Sequence, residues 1–161
     1  GNVDAVFAPC GGGGLLSGSL IATRAICPQA KIIGVEPLIA NDAAQSLRSG
    51  SIQRLVEQPQ TLADGAATLS VGEVTFNYLK LLDGFYEADE TQIAYWTQWL
   101  QHLLKIHMEP TCAMSMAGVV DWLKGQTVRQ KVVVILSGGN IDNQKMCQIW
   151  QHDHLAIPPS L

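Results

Sequence analysis

The chain has 161 residues, with ten Lys and Arg against fourteen Asp and Glu, a formal net charge of -4. No basic excess exists to displace counterions from phosphates, so a nucleic-acid partner is excluded. A 47% hydrophobic composition suffices for one domain with a real core, while no apolar stretch is long enough to span a bilayer, so no membrane partner is expected.

Gly1-Asn2-Val3-Asp4 has neither a basic n-region nor an apolar h-region, and no signal peptide is expected there. Val3 to Pro9 reads as a short, mostly apolar strand. Gly11 to Gly14 follow it. Leu15 to Ile26 then reads as a helix, with Leu16, Leu20, Thr23 and Ile26 spaced for one face. Cys27-Pro28 stops that helix. Lys31 to Glu36 is a second strand, and the span suits a βαβ unit with parallel strands. Ala40 to Leu47, rich in small residues, predicts a helix that Ser49-Gly50-Ser51 breaks. Gln58-Pro59-Gln60 marks a loop. Leu62 to Ala67 is small and tight, as where backbone approaches something closely. Glu73 to Leu82 predicts another helix.

Asp89 can cap a helix, with Gln92 reaching back to its amide. Ile93, Trp96, Leu100, Leu103 and Leu104 form the apolar stripe of that helix. Trp96 and Trp99 read as packing, and His102 and His107 as helical residues without chemistry. Pro110 opens the next helix, where a missing amide proton costs little. Val132 to Leu136 is a continuous apolar run, read as a central buried strand. Ser137-Gly138-Gly139-Asn140 follows it directly. The stretch from His152 to Leu161 reads as a polar, solvated tail, including His152-Asp153-His154. Cysteines at 10, 27, 112 and 147 show no Cys-x-x-Cys spacing, which predicts free thiols and a cytoplasmic location.

Four contiguous glycines between a strand and a helix carry the sharpest signal. Without Cβ atoms, backbone amides can converge on one point, and the helix N-terminus adds partial positive charge. That combination suits a phosphate. A P-loop would end in Gly-Lys-Ser/Thr, but Leu15-Leu16 follows Gly14. A dinucleotide fingerprint counted from Gly12 nearly fits, with Ser17 at its third position and Glu36 free to read a ribose. That rival leaves Ser137 to Asn140 unexplained.

Pro9 to Leu15, with its tetraglycine, resembles the phosphate loop of fold-type II pyridoxal-phosphate enzymes. Gly34-Val35-Glu36-Pro37, Leu62-Ala63-Asp64-Gly65, Met108-Glu109-Pro110-Thr111 and Ser137 to Asn140 follow in an order similar to serine racemase and the serine/threonine dehydratases. The resemblance extends from about Val3 to Asp142. It implies an α/β fold, a mostly parallel sheet with helices on both faces, like an incomplete large domain of the tryptophan synthase beta-like fold. Residues 1–150 would be the C-terminal portion of that coenzyme-binding domain and 151–161 a polar tail.

The resemblance also implies roles. Amides of Gly11, Gly12, Gly13, Gly14 and Leu15 would hold the coenzyme phosphate. Ser137 would hydrogen-bond the pyridine nitrogen, and Glu109 would lie near the ring. Asp64 and Gly65 would line the substrate side. Glu36, the Ala40 carbonyl and Asp42 match a divalent-cation site whose hard oxygens suit Mg²⁺ or Ca²⁺. The family's Schiff-base lysine sits in a Ser-x-Lys-x-Arg type segment, which does not occur here. The family's Ser-x-Gly-Asn loop, which grips the substrate carboxylate, lies upstream of the motifs matched here, and Ser137 to Asn140, though they fit its letters, match the family's later loop instead. No catalytic residue is therefore assigned, and the chain alone is expected to be inactive. The implied enzyme is an ammonia-lyase that converts L-serine or L-threonine into ammonia and a 2-oxo acid. A serine racemase and a non-catalytic phosphate- or nucleotide-binding domain are the alternatives. Apolar surface left uncovered on one face of the sheet predicts a homo-oligomer.

Overall fold

The computed structural model describes residues 3–160. Its frame is a βαβ unit: β1 (Ala5–Pro9), α1 (Gly14–Ile26) and β2 (Lys31–Pro37). β1 and β2 run parallel, with Ala5 beside Lys31 and Pro9 beside Val35. Two further parallel strands, β3 (Gly84–Ala88) and β4 (Val132–Val134), complete a sheet of order β3-β2-β1-β4.

Strand residues alternate between two cores. Ala5, Phe7, Ile33 and Val35 point to one face, where α6 (Ser115–Leu123) covers them and α4 (Glu90–Leu104), packed on α6, joins the same core. Phe7 meets Trp122 edge to face at 5.8 Å. Ala8 and Ile32 point to the other face, against α1 and α3 (Glu73–Leu79). Gly34 allows this close packing, because a Cβ there would lie 2.6 Å from Leu16 and Phe85 side-chain carbons. A sheet covered on both faces needs apolar residues at nearly every central position, as Lys31–Pro37 shows. The expected α/β fold, with a parallel sheet and helices on both faces, is what forms.

Several local expectations are corrected. The apolar run at Val132–Leu136 is not a central buried strand. Its three paired residues form the edge strand β4, and Val133 is 43% exposed. β3 was not expected at all. The helix from Glu73 stops at Leu79 instead of Leu82. α2 occupies Asp42–Ser49, after a short 3-10 turn at Leu38–Ala40. His107 lies beyond the end of α4 and is not helical. The segment read as a solvated tail is indeed mostly exposed, but it is also tied to α4: Gln98 donates to the His152 carbonyl at 2.7 Å, and Tyr95 to that of Ile157 at 3.0 Å. Residues 1, 2 and 161, which belong to the expected N-terminal and tail segments, lie outside the described residues.

Among the described residues no helix is long and apolar enough to cross a membrane. Cys10, Cys27, Cys112 and Cys147 are free thiols. All four strands are parallel, so their carboxyl ends share one edge of the sheet. The glycines leave β1 there, Glu36 and Pro37 close β2, and Ser137 follows β4. In open α/β sheets this edge is where ligands bind.

Candidate functional site

The glycine turn joins β1 to α1. Gly13 has φ +88, a left-handed conformation that L side chains rarely adopt. The turn is held by its carbonyls. The Gly12 carbonyl accepts from the Thr75 hydroxyl at 2.7 Å and from the Gly72 amide at 3.3 Å. The Gly13 carbonyl accepts the first α1 bond, from the Ser17 amide at 2.9 Å. Among the described residues, no backbone amide from Gly11 to Leu16 donates to any other residue. Six neighbouring N–H groups at a helix N-terminus are thus left for a ligand. Gly12, Gly14 and Leu15 are exposed, Gly11 is half-buried, and Gly13 and Leu16 are buried, so the turn opens to solvent along part of its run. This is the geometry that holds an anion.

The Leu62-Ala63-Asp64-Gly65 segment stands behind the glycines. A Cβ on Gly11 would lie 2.8 Å from the Gly65 carbonyl oxygen. Gly65 is equally constrained, with Thr111 Oγ1 only 2.9 Å from its own would-be Cβ. The Gly65 amide donates to that hydroxyl at 3.1 Å. The tightness expected at this segment is therefore real, and its cause is the approach of two backbones. Asp64 and Gly65 are both exposed.

Glu109 and the Ser137 loop meet. The Glu109 amide donates to the Gly138 carbonyl at 3.2 Å, and a Cβ on Gly138 would lie 2.6 Å from the Glu109 carboxylate. Cys112 adds a thiol donor to the same carbonyl at 3.3 Å. Pro110 opens α5 (Pro110–Ala113), as its fixed φ favours. Ser137 is exposed beside this contact. Burial pushes the Cys112 and Cys10 thiols up, so neither supplies a ready thiolate.

Glu36 and Asp42 occupy a separate, buried corner. Glu36 is 1% exposed, and its oxygens accept from the Ala44 amide at 2.6 Å and the Ala43 amide at 3.2 Å. Its carboxylate caps α2 and does not face outward toward a ribose, which counts against the dinucleotide alternative. Burial pushes the Glu36 pKa up to about 9, against the helix amides that lower it. Burial likewise raises Asp42 to about 6. Thr68 donates to one Asp42 oxygen at 3.2 Å, while the other is buried without a partner. No group of three or more His, Cys, Asp or Glu side chains among the described residues is placed to hold a metal.

Sequence reasoning missed the residues that hold these loops. Thr75 braces the glycines from 63 residues away, and Glu90 binds Thr61 from 29. Lys145 reaches Thr61 across 84 residues. Such separations leave no local signal.

Free amides in a strand-to-helix turn, at the carboxyl edge of a parallel sheet, define an α/β domain with a ligand-binding turn of anion-holding geometry. A family model described as "Pyridoxal-phosphate dependent enzyme" matches residues 1–138. The chain belongs to that family, within its serine/threonine dehydratase and serine racemase group. It is 42% identical over 146 residues to L-threo-3-hydroxyaspartate ammonia-lyase of Saccharomyces cerevisiae, covering 90% of this chain and 44% of the relative. Serine racemase of Schizosaccharomyces pombe is 37% identical, with 90% and 45% covered. Among solved structures, threonine deaminase isoform 2 from Solanum lycopersicum superposes with a TM-score of 0.85 at 32% identity, over 93% of this chain and 44% of that one. The chain thus spans about half the length of the curated relatives it matches.

Proposed function

We propose that these residues form the C-terminal part of the coenzyme domain of a pyridoxal-phosphate-dependent ammonia-lyase. Its substrate class is L-serine, L-threonine or a related 3-hydroxy amino acid, converted to a 2-oxo acid and ammonia. The observation that carries this reading is the run of unpartnered amides from Gly11 to Leu16 at the α1 N-terminus. Those amides fit the coenzyme phosphate. When bound, the coenzyme supplies an electron sink for the substrate α-carbon.

The chain's own residues bind and orient. Gly11 to Leu15 fix the phosphate end. Ser137, at the carboxyl end of β4, offers a hydroxyl to the pyridine nitrogen, with Glu109 beside the ring. A hydroxyl does not hold that nitrogen protonated as a carboxylate does, which leaves electron density at the α-carbon and favours loss of a β-hydroxyl. Asp64 and Gly65 line the substrate side. A lysine nucleophile in the family's sequence context is not among these residues, so the 161-residue chain alone should not turn over.

The experiment compares this chain with a family-length enzyme that contains it, each given pyridoxal phosphate and L-serine or L-threonine. Release of 2-oxo acid by the longer protein only, above the free-coenzyme background, supports the reading. Formation of D-serine without 2-oxo acid would favour a racemase, as the 37% identical yeast relative is named. Turnover by the 161 residues would overturn the inactivity.

The reading extends to a cation and to assembly. Glu36, the Ala40 carbonyl and Asp42 would take Mg²⁺ or Ca²⁺, supported by the unpartnered buried oxygen of Asp42. The isolated chain would self-associate through the β4 edge, where Leu15, Val128 and Val133 are exposed.

A further inference from the structure

We propose that Lys145 is a positioning residue that latches the substrate-side loop, residues 61–66, to the element following the Ser137 loop. The loop needs such a tie. It pairs with no strand, and its only regular structure is a 3-10 turn at Asp64–Ala66. Yet it packs beside Gly11, where an added Cβ would meet the Gly65 carbonyl oxygen at 2.8 Å, so little room is left for it to shift toward the glycine turn.

Side chains from three helices hold it. Glu90, at the start of α4, accepts from the Thr61 hydroxyl at 2.7 Å and the Leu62 amide at 2.7 Å. Thr111 on α5 accepts from the Gly65 amide at 3.1 Å. Lys145 closes the remaining side from α7 (Asn143–Ile149): its Nζ donates to the Thr61 carbonyl at 3.1 Å and lies 3.4 Å from the Asp64 carboxylate. Glu90 and Thr111 hydrogen-bond the loop's main chain and the Thr61 hydroxyl. Lys145 is the one of the three that forms an ion pair with Asp64.

Two features set Lys145 apart from an ordinary surface lysine. Its side chain is 24% exposed, against 72% for Lys124 in its own exposed pair with Asp121. It also stands in the first turn of α7, where the helix dipole disfavours a cation. The Asp64 carboxylate offsets that cost. The foot of the latch is itself fixed: Asp142 caps the Lys145 amide at 2.8 Å, and the Ile149 carbonyl at the far end of α7 accepts from buried Gln98 at 2.7 Å. Lys145 therefore joins the loop after β4, which carries Ser137, to the loop that carries Asp64 and Gly65. It also pairs with Asp64, giving that half-exposed carboxylate a fixed partner on the side the proposed substrate would approach.

The latch stands on the contacts above; its kinetic consequence rests on the proposed ammonia-lyase reading. Lys145→Met, Lys145→Arg and the control Lys124→Met are compared in a family-length enzyme containing these residues. In Lys145→Met the amides of residues 61–66 should exchange with deuterium roughly tenfold faster, the size expected for losing a charged hydrogen bond. KM for the amino acid should rise roughly tenfold, with kcat and coenzyme affinity within about twofold. Lys145→Arg, which keeps the charge and a donor, should restore both. Lys124→Met should change neither. Unchanged exchange in Lys145→Met overturns the latch. Faster exchange with an unchanged KM, or no rescue by arginine, overturns the positioning role. A wild-type enzyme that releases no 2-oxo acid from any 3-hydroxy amino acid fails the functional reading instead, and the exchange result then decides the latch alone.

Discussion

β1 has two neighbours that treat it unlike. On the β2 side it pairs over all five of its residues, and the partner strand is buried from Ile32 to Pro37. On the β4 side it pairs over three, and β4 has no fully buried residue. Grooves of about 400 and 600 Å³ flank β4, one between Leu15 and Ile135, the other between Val119 and Val134. The β2 flank is a finished core that fixes the glycine turn. The β4 flank carries Ser137 and yet lacks the cover that would bury its apolar residues. The same fold thus holds one half of the proposed coenzyme site firmly and leaves the other on an open edge.

Stability measurements break or keep that contrast most sharply. Phe7→Ala should cost about 3–5 kcal/mol, because it opens a cavity between the sheet and Trp122. Val133→Ala should cost no more than about 0.5 kcal/mol, since that side chain already faces solvent. Urea unfolding of both variants checks this, and equal losses would erase the distinction between the flanks.

A second test lies beside β2, at Glu36. Its folded pKa of about 9 stands above the ordinary 4.5, so the folded state binds the extra proton. Stability should therefore be highest below the ordinary value and should fall as pH rises from about 4.5 toward about 9, by on the order of a few kcal/mol. Asp42 acts with the same sign over a narrower window, from 3.8 to about 6. Glu36→Gln should flatten the upper part of this slope and leave the Asp42 part. Mg²⁺ or Ca²⁺ should reverse it, releasing a proton on binding. A slope between about pH 6 and 9 that survives Glu36→Gln would mean that another group is responsible.

The finished flank was also the legible one. β1, α1 and β2 formed within two residues of expectation, because strand, glycine turn and helix announce themselves over adjacent positions. The α4 start was equally clear: Asp89 and Gln92 make both bonds of the capping box. β3 was not legible. Gly84–Ala88 is half-buried along most of its length and shows no apolar alternation. β4 misled for the opposite reason. Val132 to Leu136 reads as buried, but burial depends on what lies beyond β1, which these residues do not supply. The site divided in the same way. Motif glycines, Glu109 and Thr111 were visible, whereas Thr75, Glu90 and Lys145 act across long separations.

A smaller effect is expected at the open edge. Sedimentation of the isolated chain should show concentration-dependent association, and Val133→Lys should weaken it by roughly tenfold, since an edge lysine opposes strand pairing. A monomer at all concentrations would mean that the edge tolerates exposure unaided.

The β1–α1 turn, proposed as a phosphate cradle, can be probed without the rest of the enzyme. Titrating the chain with inorganic phosphate while following backbone amide chemical shifts addresses it directly. The largest shifts are expected at Gly11 to Leu16, whose amides have no other partner. They should vanish in Gly13→Asp, which places a negative side chain at φ +88, where its Cβ would meet Thr75 at 2.9 Å. Shifts elsewhere in the chain, or equal phosphate affinity in Gly13→Asp, would contradict the cradle.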